Sequence, residues 1–342
     1  MKFEADFHNF GQSVQKIGRG SEMIFQKPRP IYWEWLFFGK NSPLSFFFHH
    51  STFSARPAQT IFNLEVEMGD DFKGESKEIR ASNTPSTPEH FYSLGVLLSY
   101  CYVFGIRDLH RNNVVKTDSH LQVIDAEVVL ARLLLPHETL LLPFKEVGPD
   151  FCGASSVVDL ANITAGQVEM VLRGYYDVFS CVTLHLAKIR QVFDEQEDRF
   201  KKIPIRHILR DTIHYRSVLQ NPPQIPLFES EVEQLGRGDI PYFFKFVGEP
   251  GVHAYIDRHG NYSRVTLPPI FEKGAAREAS LPFDLISPKR IDSLMPTGFL
   301  YVAKILSASN ECSISNSDFS VQLRGNEISA SIAGKSFSSG TN

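Results

Sequence analysis

Residues 94–106 read LGVLLSYCYVFGI, an unbroken apolar run. A membrane-spanning helix takes about 20 apolar residues, so this run is too short to cross a bilayer and predicts a helix buried in a core. Apolar residues recur at three and four positions from His90 to Gly105, which extends the helix back to His90. The 342 residues suffice for one large domain or two medium ones, and 28 Phe point to an aromatic-rich interior.

The rest of the chain alternates strand-like and helical patterns, which predicts an α+β fold. VQKI (14–17) and EMIFQ (22–26) read as a hairpin turned by Gly18-Arg19-Gly20, with Lys27 at the strand end and Pro28 and Pro30 stopping it. Residues 69–90 are polar and rich in Gly, Ser, Thr and Pro, the composition of a loop or inter-lobe linker. After the buried helix come a polar loop, RDLHRNNVV, and a predicted strand, LQVIDAEVV. Helical periodicity covers 166–193, a strand and then a helix fit 205–219, and QNPPQIP (220–226) is a break. Residues 242–267 alternate like strands around a HGN turn, and 291–307 predict a last helix. The tail from 308 is rich in Ser, Asn and Gly and reads as flexible. This divides the chain into a β-rich part at 1–89, a larger part at 90–307, and a tail at 308–342.

Composition excludes several classes. A net charge of −4 gives no basic surface for duplex nucleic acid. MKFEADFHNF at the start carries acids and no apolar run, unlike a signal peptide. Cys101, Cys152, Cys181 and Cys312 lie far apart, with no CxxC pair, so reduced thiols in a cytoplasmic protein are the simplest reading and no zinc is expected.

Chemistry concentrates in GIRDLHRNNVVKTDSHLQVIDAEVV (105–129). Asp108 and Asn113 stand five positions apart, and Asp125 follows twelve later, with Glu127 beyond it. Phosphoryl transfer needs a carboxylate to orient the attacking hydroxyl, and an amide with a second carboxylate to hold Mg²⁺ on the phosphates. Protein kinases use the same Asp-to-Asn offset in their catalytic loop. Alone, D-x-H-x-x-N is a weak signal, and a solvated turn between a core helix and a core strand is the usual account of such a loop; the Asp-x-Glu downstream tips the reading toward function.

Two other stretches add cations. Kinases keep a strand-borne Lys near nucleotide phosphates, and Lys27 in IFQKP suits that role, although a strand-end Lys reaching for water is the plainer account taken alone. In IRHILRDTIHY (205–215), Arg206, Arg210, Thr212 and His214 would share one face of a strand and could grip phosphate. Taken alone, a half-exposed strand with a solvated polar face is the plainer account of them.

Together these pieces resemble the dehydratase domain of LanM-type (class II) lanthipeptide synthetases. Ala5-Asp6-Phe7-His8-Asn9-Phe10-Gly11 matches G-D-x-H-x-x-G apart from its first residue, and Gln26-Lys27-Pro28-Arg29-Pro30 resembles Y-K-P-R-S. Phe91-Tyr92 through His110 resembles the helix leading into D-x-H-x-E-N, and Asp125-Ala126-Glu127 resembles D-x-E. Arg206-x-x-x-Arg210-x-Thr212-x-x-Tyr215 fits a further motif, and Arg237-Gly238-Asp239-Ile240-Pro241-Tyr242-Phe243 matches R-G-D-I-P-Y-F. IDSLMPTGFLYVAKILSAS is similar to the family's closing helix. The likeness spans residues 5–307.

The resemblance implies a kinase-like, two-lobed fold related to lipid and protein kinases, with added elimination-site elements. It implies ATP and Mg²⁺ as cofactors and a Ser/Thr-containing precursor peptide as substrate. By the same likeness Lys27 contacts phosphates, Asp108 and His110 act in phosphoryl transfer, and Asn113 and Asp125 bind Mg²⁺ with Glu127 beside them. His8, Arg206 and Thr212 fall to the elimination step. Asn112 stands where the family has Glu, Ala126 where it has Leu, and Pro30 where it has Ser. The family's long N-terminal region has no counterpart before His8, and its cyclase domain is absent, so a separate cyclase is the expected partner. A plain kinase without elimination, and a catalytically weak remnant or partner subunit, are the alternatives.

Overall fold

The computed structural model describes residues 7–49, 56–143, 149–210, 212–218, 226–271, 282–307, 312–324 and 327–339. The first hairpin pairs β1 (Gln15–Arg19) with β2 (Glu22–Pro30) antiparallel and closes on Arg19 opposite Glu22. Its turn is therefore Gly20-Ser21, and Gly18 and Arg19 belong to the strand. Gly20 takes the φ of +63° that such a two-residue turn requires. β2 also continues past Lys27 to Pro30: a register shift absorbs the prolines, which do not end the strand.

Three short helices follow, α1 (Tyr32–Phe38), α2 (Ser45–His49) and α3 (Arg56–Ile61). Then β3 (Val66–Met68) and β4 (Lys73–Lys77) complete an antiparallel sheet of order β1-β2-β4-β3. β4 lies inside the stretch expected to be a loop. Its sequence, KGESK, has little strand preference, but neighbours on both sides supply its backbone hydrogen bonds, and context overrides propensity.

α4 (Pro88–Phe104) is buried from His90 to Phe104 and ends at Gly105, whose φ of +64° makes a left-handed cap. A hairpin of β5 (Val114–Lys116) and β6 (Leu121–Val123) comes next, then α5 (Ala165–Phe200), 36 residues long, which runs on past the expected end at 193. α4 and α5 cross at two glycines. A Cβ on Gly95 would lie 1.8 Å from the Val171 carbonyl oxygen, and one on Gly174 would lie 2.1 Å from that of Tyr92, so only Gly allows this approach. Asp125 and Glu127 lie beyond β6, in irregular chain and not in the strand expected to carry them.

β7 (Ile205–His207) is short, and α6 (Thr212–Val218) and α7 (Glu229–Gly236) follow. Arg206, Arg210, Thr212 and His214 therefore do not share a strand face; the strand ends before Arg210. Residues 220–225 of the Pro-rich break lie outside the described residues. β8 (Phe243–Lys245), β9 (Val252–Tyr255) and β10 (Tyr262–Val265) join β7 in an antiparallel sheet of order β10-β9-β8-β7.

α8 (Pro282–Leu285) and α9 (Pro288–Leu306) precede the expected flexible tail, which instead forms an antiparallel meander. Its strands are β11 (Cys312–Ser315), β12 (Phe319–Arg324), β13 (Glu327–Ile332) and β14 (Lys335–Ser339). Phe319, Val321, Leu323, Ile328, Ala330 and Ile332 alternate onto one buried face, and Phe319 packs edge-on against Phe299 of α9 at 5.1 Å. Serine-rich composition masked a period-two pattern. One hydrophobic cluster joins α1, α4, α5, α9 and this meander, so the core runs unbroken across the boundary expected at 89/90. Among the described residues no helix is long and apolar enough to cross a membrane.

Candidate active site

Lys27 projects from β2 into a buried cluster of charge. Its Nζ donates to Glu34 Oε1 (2.9 Å) and to the Ile124 carbonyl (3.0 Å), and stands 3.6 Å from Asp125 Oδ1. Glu34 arrives from α1, where it is the one charged residue in the aromatic run IYWEWLFF. Arg29, two residues after Lys27, bridges three carboxylates: it contacts Glu34 (2.6 Å), Asp125, and Glu127 Oε2 through Nε (3.0 Å). Two residues along a strand normally point to opposite faces only when their spacing is odd, so Lys27 and Arg29 reach the same cluster.

Glu127 joins this group to the second half of the chain. Its Oε1 is 3.2 Å from Arg206 Nη1, and its Oε2 accepts from the Tyr242 hydroxyl at 2.9 Å. The Arg206 amide also donates to the Glu127 carbonyl (3.0 Å), and its guanidinium lies over the Tyr242 ring at 5.4 Å. Glu127, expected beside the metal, thus has both oxygens occupied by Arg29, Arg206 and Tyr242. It organises cations.

Asp108 sits where the chain leaves α4, at a φ of +62° that non-glycine residues seldom adopt. Asn113 Nδ2 donates to its carbonyl (2.7 Å), and the Ile124 amide donates to the Asn113 carbonyl (3.0 Å), which ties the loop to the segment carrying Asp125. His110 Nδ1 accepts from the Asn112 amide (3.2 Å), and its Nε2 is 3.9 Å from Asp108 Oδ1. Burial raises the Asp108 carboxyl to about 7; Arg206 opposes the rise, while Asp125 and Glu127 add to it. Burial would raise Asp125 as well, but Arg29, Lys27 and Arg206 outweigh it and hold this carboxyl at about 2. Two interacting acids are thus pushed in opposite directions from the ordinary aspartate value.

His8 enters from the N-terminal loop. Its Nδ1 lies 2.8 Å from the Ile240 carbonyl, an acceptor, so Nδ1 carries the proton and Nε2 is the basic nitrogen. Its ring meets that of Tyr242 edge-on at 5.7 Å. The loop is held by Asp239, 1% exposed, whose two oxygens accept from the Phe10 and Gly11 amides, both at 2.8 Å. Asn9, Phe10 and Gly11 all have positive φ, a costly run that these bonds keep in place. Ala5 and Asp6 of the motif lie outside the described residues.

No protein-family model matches this chain, and no curated protein matches it in sequence.

The structure brings together Lys27, Asp125, Glu127 and Arg206, sets Asp108, His110 and Asn113 on the adjoining loop, and reaches His8 through Tyr242. Thr212 opens α6, and among the described residues no hydrogen bond ties it to the cluster. Arg210 turns away to the buried Glu231 (2.7 Å). Sequence reasoning gave no role to Arg29, Glu34, Asp239 or Tyr242. Glu34 carried a usable signal: one carboxylate inside an aromatic helix must be paired to be buried.

Asn113 and Asp125 present oxygen ligands of the kind Mg²⁺ takes, which it completes with phosphate oxygens and water. Among the described residues no three His, Cys, Asp or Glu side chains gather as a metal cage. An amide and a carboxylate beside a buried Lys fit a metal that arrives with its phosphates. A trough of about 510 Å³ on the first sheet, lined by the cross-strand row Gln15, Gln26, Glu75 and Glu67, borders the cluster only at Lys27 and is within the size range of small-molecule sites.

Proposed function

We propose that this chain is an ATP- and Mg²⁺-dependent dehydratase on a kinase-like, two-lobed fold. It phosphorylates Ser or Thr of a precursor peptide in the cytoplasm, then eliminates the phosphate to leave dehydroalanine or dehydrobutyrine. The observation that carries this reading is the convergence on one cluster of Lys27 from β2, Glu34 from α1, Asp125 and Glu127 from beyond β6, and Arg206 from β7. A strand Lys paired with a helix Glu, beside a metal-binding Asp, is a working arrangement of kinases.

In the first half-reaction Lys27 steadies the phosphate charge and Asp108 orients the peptide hydroxyl. With its carboxyl near 7, Asp108 can accept the hydroxyl proton at physiological pH. His110, whose Nε2 lies 3.9 Å from that carboxyl, acts beside it in phosphoryl transfer. Mg²⁺ held by Asn113 and Asp125 would neutralise charge on the phosphate oxygens.

In the second half-reaction the α-proton leaves to a base, its electron pair forms the Cα–Cβ double bond, and the Cβ–O bond to phosphate breaks. The basic Nε2 of His8 supports that residue as the base. Arg206 takes the departing phosphate, with Thr212 close by in sequence.

Incubation with ATP, Mg²⁺ and a Ser/Thr peptide should lower the peptide mass by one water per modified site. Accumulation of phosphopeptide alone would remove the elimination half, and an unchanged peptide would remove both. A plain phosphotransferase is the second reading. What favours it is that the Arg206 guanidinium is already engaged by Glu127 and Tyr242.

A further inference from the structure

Next to the cluster lies a second groove, of about 760 Å³, between α7 and the strands β9 and β10. Ala254 and Ser263, paired across those strands, give it a floor of small side chains. Glu229 and Glu233, one turn apart on α7, line one wall and are exposed. Phe10, Arg237 and Arg264 also line it, the Arg264 side chain lying against Gly251, outside the groove.

Two features suggest that the groove serves the site beside it. The first is continuity. Phe10 belongs to the loop that presents His8 two residues earlier, and Tyr255, also in the groove lining, stacks on Tyr242 at 6.3 Å, the residue bonded to Glu127. The second is charge. Arg237 follows Glu233 by four positions and would ordinarily neutralise it. It is instead held by Asp239 (3.2 Å) and lies over the Phe10 ring at 4.1 Å. Among the described residues neither Glu229 nor Glu233 pairs with a cation, and Arg264 across the groove packs against Gly251 instead of reaching them, so the α7 wall keeps its negative charge.

We infer that this groove receives an extended segment of the substrate peptide, and that Glu229 and Glu233 select a Lys or Arg flanking the Ser or Thr that is modified. The inference rests on the dehydratase reading for the identity of the peptide, and names which residues of that peptide are read. Small floor residues leave room for a main chain, while the acidic wall meets a long cationic side chain at its exposed end.

The test measures binding without turnover. Fluorescence anisotropy would compare a labelled Ser/Thr peptide carrying two Lys with its twin carrying two Glu, at low salt. The wild type should prefer the Lys peptide by about three- to tenfold, as two exposed ion pairs allow, and the preference should shrink as salt is raised. E229K/E233K should reverse the preference, and E229Q/E233Q should erase it. Equal affinity of the wild type for both peptides, or a preference untouched in either double variant, overturns the inference. A thermal shift with Mg-ATP, run on all three proteins, keeps the two ideas apart. Loss of nucleotide binding in the wild type counts against the dehydratase and leaves the peptide comparison standing. A retained shift with no peptide preference counts against the groove alone.

Discussion

Two arginine–carboxylate clusters, one within residues 210–231 and one gathered from Lys27 to Arg206, are built to opposite rules. In one, Arg210 meets Glu231, which is fully buried; the Tyr215 hydroxyl (2.8 Å) and the Phe228 amide (3.1 Å) complete the carboxylate, and the Pro226 carbonyl takes a further guanidinium proton (2.9 Å). Every group there has a partner inside the protein. In the other, Lys27, Arg29 and Arg206 share Glu34, Asp125 and Glu127, with Asp125 26% exposed and Glu34 Oε2 lacking a hydrogen-bond partner among the described residues. The first is a bolt between α6 and α7. The second is crowded with charge and opens at one carboxylate, which is what a site that exchanges partners with a ligand needs.

The sharpest way to break the comparison is to cut the bolt. Glu231→Ala strands a buried guanidinium, so denaturant unfolding should show a loss of about 3–5 kcal/mol. A loss under about 1 kcal/mol would mean that the closed cluster is not structural. Asp108 comes next. Its folded carboxyl is raised to about 7 from an ordinary 3.8, so stability is full below 3.8 and declines as pH rises toward 7. Asp108→Asn, which cannot ionise, should therefore gain about 2–3 kcal/mol on the wild type at pH 8, after a discount for partial exposure, and nothing at pH 3.5. An equal difference at both pH values would exclude ionisation as the cause.

Asp125 has the opposite sign. Its carboxyl, held at about 2, contributes stability above 3.8 that drains away as pH falls toward 2. Arg29 and Lys27 keep Glu34 and Glu127 as partners in Asp125→Asn, so this change should cost only about 1–2 kcal/mol at pH 7. Yet it should abolish any stabilisation by Mg-ATP seen in the wild type, a shift in melting temperature that Glu231→Ala should retain. Asp239→Asn weakens the hold on the His8 loop, and on the dehydratase reading phosphopeptide should build up while the phosphorylation rate changes by less than about threefold, a margin of under 1 kcal/mol. The smallest effect belongs to the exposed Lys40–Glu65 pair: Lys40→Ala should move stability by no more than about 0.5 kcal/mol.

Much of the frame was readable in the chain itself. The apolar run at 94–106 had to be a buried helix, because nothing else hides such a segment so short. The strands of 242–267 and the helices at 166–193 and 291–307 followed from period. The failures share one cause, since local composition does not report on neighbours. KGESK became a central strand because β2 and β3 flank it. The serine-rich tail became a meander because its alternate apolar residues found α9. The run IRHILRDTIHY broke after three strand residues, and Arg210 was drawn off to Glu231.

The same division holds at the candidate site. Sequence by itself determined which residue types were available: a Lys in an apolar strand, the Asp–Asn loop, the Asp-x-Glu that follows and a distant Arg, all spaced in an order that phosphoryl chemistry could use. Only the tertiary structure decided that Glu127 gathers arginines, that Glu34 and Arg29 belong to the cluster, and that Arg210 does not. It also poised Asp108 near 7 and Asp125 near 2, because a carboxyl's proton affinity is set by burial and by the charges within a few ångströms, and those neighbours come from parts of the chain up to about a hundred residues away.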